Sequence, residues 1–497
     1  MDASRIPVIV GVGQVNDRPA DPARGLDPLG LMEAALRAAD ADAGGGWLER
    51  VDSLAHIGQI SFPKLTDILG PLAQRLDASP RLSYATHPTG DSPILLLNEA
   101  ANRIGAGEIE VAAIVGGEAL RTASQLRAQA AGGSVSDQNV VAAATAAFRQ
   151  TYLGRYGLVM PTEAYPLFEN ALRAADGQTL AQSQRESAEI WSLFSRVAAE
   201  NEGAWLRRPL SPEDILRTGA DNRPLSFPYN KLMVANSSVN QGAGFIVTSL
   251  AKARAAGVAD ERLIFVGRGA AAHEQYDVLA RDVYHRSAGM TVSLQRALQL
   301  NDLCTDDLDH VEFYSCFPCV PKLARRVTDW PVDKPASVFG GLTFGGGPIG
   351  NYMSHAVVSM VLALRKSGRH GLLFANGGLA THNHTIVVSR EPLPGAQFPQ
   401  DFDFQAEADA ARGPVPPRAE NYVGPGTIET YTVHYDRQGE PRSGVIVARG
   451  KQGERFLAKV RGDDAAAIEF LTSGAAEPVG AMGHAEVGSD GDVNWRL

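Results

Sequence analysis

Cysteine is scarce in this chain, whose 497 residues contain three, at Cys304, Cys316 and Cys319. Three thiols are too few for the disulfide framework of a small secreted protein. Acidic residues outnumber basic ones by 56 to 46, and the net charge of −10 argues against a nucleic-acid-binding groove. The sequence has neither a signal-peptide pattern nor an apolar run long enough to span a bilayer. We therefore predict a cytoplasmic protein.

Two stretches of the chain follow the same order of elements. Each begins with an apolar strand pattern, continues through an amphipathic helix, and contains a strand that stops at paired glycines. The matched segments are Ile6–Val12 and Leu263–Gly267, Leu29–Ala39 and Met290–Leu300, Val51–Ile60 and Val311–Ser315, Val111–Val115 and Leu372–Ala375, and Phe245–Thr248 and Thr385–Val388. This order predicts an internal duplication that forms two mixed, mostly parallel sheets with helices between and outside them.

Two glycine-containing turns occupy equivalent places in the repeat. Thr89–Ile94 follows a strand pattern at 82–87, and Gly345–Ile349 follows Gly341–Phe344. In each turn a proline near the first helical position fixes φ, so that the free N–H groups of the next helix point at the turn. Such a turn favours an anion or a thioester carbonyl.

Composition predicts the domain boundaries. The first half is expected to span 1–262, with an inserted loop domain at about 120–237, and the second half 263–391. The insertion either lines a binding site or only covers the core. Residues 392–417 have a linker composition, and the alternating strand patterns of 418–497 predict a small β-barrel module of OB type.

Four motifs make the chain resemble the thiolase superfamily over about residues 5 to 390. Asn102–Glu118 is similar to the helix end and strand that follow a thiolase nucleophile, and Asn240–Gly244 to the SDGA-type turn. Val311–Phe317 resembles the HDCF strand of sterol-carrier-type thiolases, and Gly340–Gly350 the GHP loop. The resemblance implies a duplicated thiolase fold of βαβαβαββ halves in five αβαβα layers, and a CoA thioester as substrate.

Thiolase chemistry uses a nucleophilic thiolate, an activating histidine and a second cysteine as acid/base. When the thiolase motifs are matched to this sequence, most of these catalytic residues are absent. Because no cysteine precedes Cys304, the resemblance implies that no ordinary acyl-enzyme forms. The nucleophile position falls on Gly90, the GHP histidine on Gly347, the second-half cysteine on Ala375, the HDCF histidine and aspartate on Tyr314 and Ser315, and the acid/base cysteine on Cys316.

Three side chains are candidates to replace the missing chemistry. Cys316 is the candidate acid/base, or a small buried hydrophobic residue. His87 is a base or ligand contact, or a hydrogen-bonded core histidine, and Ser92 is a nucleophile or the N-cap of the following helix. Cys316 and Cys319 also form a C-x-x-C pair, for which redox and zinc roles are weaker alternatives.

The remaining candidates are ligand contacts. Backbone N–H groups of the glycine loops can approach a thioester closely, although the same glycines can instead relieve crowding between helix ends. We predict no metal site, since His382 and His384 more simply line the site as hydrogen-bonding groups. The predicted substrate-binding residues are Tyr314, Gly346, Gly347, Asn376, Gly377 and His382.

Two functions follow as hypotheses. The first is an acyltransferase of the acetyl-CoA acetyltransferase family that uses Cys316 and backbone N–H groups without a covalent intermediate. The second is a catalytically inactive scaffold that binds CoA or acyl-CoA and acts with a protein partner through the C-terminal module. Neither needs a cofactor, and the chain is expected to be a homodimer or a monomer.

Overall fold

The first repeat forms one half of a large sheet in the computed structural model, which describes residues 2–130, 148–489 and 491–497. The elements of this half alternate between strands and helices as predicted. They are β1 (Pro7–Asn16), α1 (Pro28–Asp42), β2 (Ser53–Ile57), α2 (Leu69–Arg75), β3 (Leu82–Thr86), α3 (Ser92–Ala106), β4 (Val111–Ala119) and α4 (Leu120–Ala130).

The insertion follows α4 and supplies both helices and two short strands. Its sequence returns to the first half through β7 and a short helix. The elements are α5 (Tyr152–Arg155), α6 (Pro161–Ala175), α7 (Leu180–Glu200), α8 (Pro212–Leu216), β5 (Pro224–Ser226), β6 (Tyr229–Asn230), β7 (Asn240–Ser249) and α9 (Leu250–Ala255).

The second repeat follows the same order of elements with one exception, and the C-terminal residues form a compact β module. The helices and strands of these two parts are β8 (Ile264–His273), α10 (Ala288–Leu300), β9 (His310–Phe313), α11 (Cys319–Thr328), α12 (Tyr352–Lys366), β10 (His370–Gly377), β11 (His382–Ser389), α13 (Gln405–Ala411), β12 (Gly424–Tyr435), β13 (Pro441–Arg449), β14 (Arg455–Arg461), α14 (Ala465–Thr472), β15 (Met482–Val487) and β16 (Val493–Arg496). The described residues between β9 and α12 include no counterpart of β3, since Gly341–Gly345, where the repeat predicted a strand end, forms a short π-helix.

The two half-sheets are joined into one sheet of nine strands, in the order β3-β2-β4-β7-β1-β8-β11-β10-β9. The sequence predicted a duplicated α/β fold, which the structure confirms, but it predicted two separate sheets. The first strands of the two halves instead pair antiparallel over two residues, Val8 with Phe265 and Ile9 with Ile264. The pairing satisfies backbone groups that would otherwise form buried sheet edges.

Helices α3 and α12 lie between the half-sheets. Helix α3 contacts β4, β7 and β11, and α12 contacts β1, β7, β9 and β10. Helix α1 covers the outer face of the first half-sheet, and α10 covers that of the second. The N-termini of α3 and α12 therefore lie inside the molecule, where the sequence analysis places the candidate site.

The predicted C-terminal barrel is also confirmed. Strands β12, β13, β14, β16 and β15 close on one another. The barrel is fastened to the insertion, because β5 pairs with β12 and the Tyr152 and Tyr156 hydroxyls accept hydrogen bonds from Leu457 N and Val493 N, each at 3.0 Å. The domain boundaries given above stay predictions.

No helix within the described ranges is both long enough and apolar enough to cross a membrane.

Candidate functional site

The nucleophile turn of the first half is packed against two residues of the second half. Gly90 is buried immediately before α3. A Cβ atom built at Gly90 would lie 2.1 Å from the Asn376 carbonyl oxygen and 2.7 Å from the Tyr314 hydroxyl oxygen. Real Cβ contacts of this length do not occur without movement of the backbone. The position therefore excludes any side chain, cysteine included.

Tyr314 is the residue that stands where the thiolase resemblance implies a histidine. It follows β9, its ring packs edge-on against Tyr352 at 5.5 Å, and it is 6% exposed. Burial holds the pKa of the Tyr314 phenol well above its usual range, and the nearby Cys316 and Asp91 act in the same direction. Tyr314 is consequently a neutral hydroxyl at this place.

Tyr165 of α6 contacts the loop between β10 and β11 from the insertion. Its hydroxyl oxygen lies 3.1 Å from Asn376 Oδ1 and 2.9 Å from Ala380 N, which donates to it. The ring stacks on Phe317 with centroids 4.4 Å apart. The insertion therefore contacts the candidate site and fixes both the end of β10, which carries Asn376 and Gly377, and the loop that follows it.

Arg281 fixes the same loop from the other side. The buried guanidinium donates to the carbonyl oxygens of Leu379, at 2.8 Å, and Ala380, at 3.3 Å. Ala380 has a φ of 55°, a left-handed conformation that is costly for alanine, so these bonds hold a strained turn. Arg455 of the barrel in turn donates to the carbonyl oxygens of Leu279 and Arg281. The C-terminal module thus supports the site directly.

Both cysteines of the C-x-x-C pair are buried in the same region. Burial raises the pKa of the Cys316 thiol to about 12, although the Tyr165 hydroxyl beside it acts in the opposite direction. Burial also holds the pKa of Cys319 well above its usual range, and the neighbouring Glu169 carboxylate adds to this. Since the thiolate is the reactive form, the surroundings of both residues disfavour nucleophilic and redox chemistry near neutral pH.

Ser92 and His87 lie next to each other at the start of α3. The buried Ser92 hydroxyl donates to the His87 carbonyl oxygen at 2.7 Å and lies 2.8 Å from Thr89 Oγ1. The N-cap of α3 is Asp91, so the prediction of Ser92 as the N-cap was wrong. The His87 side chain is exposed, because β3 is an edge strand, and the prediction of a core histidine was wrong as well.

The second glycine loop is hydrogen-bonded within the protein. Gly347 N donates to the Asn236 carbonyl oxygen at 2.8 Å, and Gly340 N and Gly341 N donate to Ser337 Oγ at 2.7 and 3.0 Å. At Gly346, which has a φ of 109°, a Cβ atom would lie 2.1 Å from Gln241 Oε1. These glycines serve close packing, and several of their N–H groups are already satisfied.

Asp91 and His382 form the polar edge of the site. Asp91 Oδ2 lies 3.8 Å from His382 Nδ1, and His382 Nε2 lies 3.1 Å from the hydroxyl of the exposed Tyr276. The buried Asp91 Oδ1 has no hydrogen-bond partner among the described residues. His384 instead points to Asn98, at 2.7 Å. Within the described ranges, no group of three or more His, Cys, Asp or Glu side chains is placed to bind a metal.

Structure therefore brings most of the predicted residues together around Gly90, and adds two that the sequence did not reveal. Tyr165 and Arg281 lie 211 and 98 positions from their partners Asn376 and Leu379. Tyr165 is one apolar position among several in α6, and the sequence carries no signal for Arg281.

Comparison with solved structures first defines the class of the fold. The chain is similar to human mitochondrial 3-ketoacyl-CoA thiolase in complex with CoA, with a TM-score of 0.60 and 14% identity over 78% of this chain and 99% of that one. It is also similar to the Ltp2-ChsH2(DUF35) aldolase, with a TM-score of 0.58 and 18% identity over 78% and 98% of the two chains. These likenesses show a thiolase fold.

A second likeness defines the family. A monomeric SCP2-thiolase-like protein type 1 from Mycobacterium smegmatis shares 30% identity, with a TM-score of 0.83, over 99% of both chains. Residues 403–492 match the model of the thiolase-like protein type 1 additional C-terminal domain. This chain belongs to the SCP2-thiolase-like protein type 1 family. A comparison with curated protein sequences gave no match.

Proposed function

We propose that this chain binds CoA thioesters without forming an acyl-enzyme. The observation that carries the proposal is the packing of Gly90, where a Cβ atom would lie 2.1 Å from the Asn376 carbonyl oxygen. An acyl-enzyme needs a nucleophile on a side chain, and this turn has room for none. The family and its fold support a CoA thioester as the ligand class.

The neighbouring groups support a binding role over catalysis. Cys316 is buried and its pKa lies at about 12, which leaves little thiolate at neutral pH. Tyr314 is a neutral phenol in the place of the histidine. His382, 15% exposed in its side chain and 3.8 Å from Asp91, is a candidate residue at the edge of the site that solvent reaches, and we assign it the ligand contact.

The binding test is a calorimetric titration of the full-length protein with CoA and acetyl-CoA. We expect binding, and we expect His382→Ala to weaken it by about fivefold because it removes one hydrogen-bonding group. His484→Ala is the matched control, since His484 is an exposed histidine of the barrel. If neither CoA nor acetyl-CoA binds, the proposal is overturned. Equal affinity of His382→Ala and the wild type would overturn the assignment of His382 as the ligand contact.

Direct acyl transfer is the second candidate. It keeps Cys316 as acid/base and is supported by the position of that thiol beside the Tyr165 hydroxyl, a possible proton donor. The discriminating measurement is acetyl-CoA turnover in the wild type and in Cys316→Ala. Turnover that Cys316→Ala abolishes would favour the enzyme, whereas the same background in both proteins would favour the binding protein.

The oligomeric state is the remaining part of the proposal. The Ltp2-ChsH2(DUF35) aldolase is named after two components, while the Mycobacterium smegmatis relative is described as monomeric. In this chain the C-terminal barrel already contacts the site through Arg455. We therefore propose a monomer, and light scattering of the purified protein would test it against the homodimer.

A further inference from the structure

A groove of about 520 Å³ lies between the insertion and the C-terminal barrel, away from the Gly90 turn. One wall is formed by 154–157, and the other by 441–443 and 459–463 of β13, β14 and the turn after it. The groove is therefore assembled from two segments separated by almost 300 positions. Such a site exists only when the barrel is docked on the insertion.

Four cationic side chains line this groove, and they come from both walls. Arg155 belongs to the insertion, whereas Arg442, Lys459 and Arg461 belong to the barrel. One carboxylate, that of Asp463, lines it with them. The chain as a whole carries a net charge of −10, so this concentration of positive charge is opposite in sign to the rest of the protein.

Two of the four cations are closely paired with carboxylates, one forms a longer ion pair, and one has no ion-pair partner among the described side chains. Arg461 donates to Asp463 at 2.6 Å, and Lys459 pairs with Asp492. Arg155 has no ion-pair partner among the described side chains and lies over the Tyr152 ring at 5.6 Å, while Arg442, 58% exposed in its side chain, forms a long ion pair with Glu163 at 3.8 Å. The exposed guanidinium groups of Arg155 and Arg442 are thus the groups that a ligand would meet first.

A buried histidine lies beneath the groove. His434 of β12 is 2% exposed, and neither of its ring nitrogens has a hydrogen bond of normal length and angle among the described residues, the Glu163 backbone giving it only a weaker polar contact. A Cβ atom on Gly157, which lines the groove, would lie 3.4 Å from His434 Cε1 and 3.5 Å from Nδ1. Because position 157 is glycine with a φ of 80°, no side chain separates the imidazole from the groove at this point. Buried polar groups without a well-formed hydrogen bond are rare and call for an explanation.

We propose that this groove binds the phosphate groups of a small ligand, held by Arg155 and Arg442 with the buried His434 below them. Arginine is suited to this role because its planar fork of donors matches phosphate oxygens. The volume fits a nucleotide-sized molecule, and the acidic charge of the whole chain disfavours a long polyanion such as nucleic acid. This inference does not depend on CoA-thioester binding at the Gly90 turn.

Phosphate groups could come from two sources, a nucleoside triphosphate or the nucleotide end of CoA. The experiment is therefore a titration of the full-length protein, at low ionic strength, with pyrophosphate, ATP and adenosine 3′,5′-bisphosphate. Pyrophosphate reports the shared chemistry. Preference for ATP or for the bisphosphate identifies the source, and either preference supports the proposal.

The variant is Arg155→Ala combined with Arg442→Ala, and the control is Lys451→Ala. Lys451 is an exposed cation in the β13–β14 turn, at the other end of the same strands. We expect the double variant to bind pyrophosphate at least about tenfold more weakly, through the loss of two charge-assisted contacts. Lys451→Ala should bind as the wild type does, and all three proteins should give the same circular dichroism and melting temperature.

Three results would overturn the inference. Wild-type protein that binds none of the three compounds has no phosphate site. A double variant with wild-type affinity places any site elsewhere. Tighter binding of single-stranded DNA than of ATP would mean that the surface takes a polymer, which the proposal excludes. None of these results concerns acetyl-CoA, so the two proposals fail separately.

Discussion

The Gly90 turn and the groove between the insertion and the barrel differ in burial and in charge. Around Gly90 the Tyr314 phenol and the Cys316 thiol are buried and neutral, and a Cβ atom at Gly90 would lie 2.1 Å from a backbone oxygen. Along the groove, Arg155 and Arg442 are exposed, and a volume of about 520 Å³ is open. A fold can retain its framework where one position has lost the room for any side chain, while groups able to bind a charged ligand are exposed on a different surface.

The largest expected effect is the difference in reactivity between the Cys304 and Cys316 thiols. Burial raises the pKa of Cys316 to about 12, whereas Cys304 is exposed. Relative to an ordinary thiol of pKa about 8.5, Cys316 has roughly a thousandfold less thiolate near neutral pH. Iodoacetamide labelling followed by peptide mass mapping should modify Cys304 at least that much faster. Labelling of Cys316 should rise as the pH approaches 12, and equal labelling near neutral pH would show that the site is open.

Removal of Arg455 tests the link between the barrel and the site. Arg455 is fully buried and donates to Glu429 and to the carbonyl oxygens of Leu279 and Arg281. Arg455→Ala leaves the Glu429 carboxylate short of a partner and should lower the free energy of unfolding by about 3–5 kcal/mol. Arg449→Ala is the control, because Arg449 contacts the same carboxylate but is 30% exposed in its side chain. Its cost should be about 1 kcal/mol. Equal urea midpoints for the two variants would contradict this.

Addition of one methyl group tests the closed turn itself. Gly90→Ala forces a Cβ atom against the Asn376 carbonyl and should cost about 1–3 kcal/mol, since the backbone must move. Gly219→Ala is the matched control, because a Cβ atom there would meet nothing within 4 Å. Its effect should stay within about 0.5 kcal/mol. A Gly90→Ala protein with the wild-type urea midpoint would mean that the turn has room for a side chain.

The smallest expected change in stability comes from removal of the Tyr165 hydroxyl at the Gly90 site. Tyr165→Phe leaves Ala380 N without its acceptor, which should cost about 1 kcal/mol. Tyr276→Phe is the control, since Tyr276 is 72% exposed and water can replace its contact with His382. We expect the control to change stability by less than about 0.5 kcal/mol. Thermal unfolding of the two variants beside the wild type would measure both.

Local sequence patterns predicted the order of strands and helices because periodicity and turn chemistry are properties of neighbouring residues. The resemblance to thiolases, in turn, predicted that Gly90, Tyr314 and Cys316 occupy the catalytic positions. The reason for Gly90 was beyond the sequence, since it depends on the Asn376 carbonyl, 286 positions away. Only the folded chain shows that a side chain at this position is sterically excluded.

The pairing of the two half-sheets and the groove were missed for the same reason. Strand patterns at Ile6–Val12 and Leu263–Gly267 indicate buried strands but not that they lie side by side. Arg155 has no feature in the sequence that connects it to Arg442. Arg155 and Arg442 line one groove only because the barrel packs on the insertion, and a local sequence pattern cannot predict that packing.

Mass spectrometry of the intact protein after incubation with acetyl-CoA tests the central claim most directly. The claim is that the site binds a CoA thioester without forming an acyl-enzyme. We predict that the mass stays that of the unmodified chain, while calorimetry on the same sample detects binding of the thioester. An acetyl adduct that is present in the wild type and absent in Cys316→Ala would contradict the claim, because it would show that a covalent intermediate forms in the site.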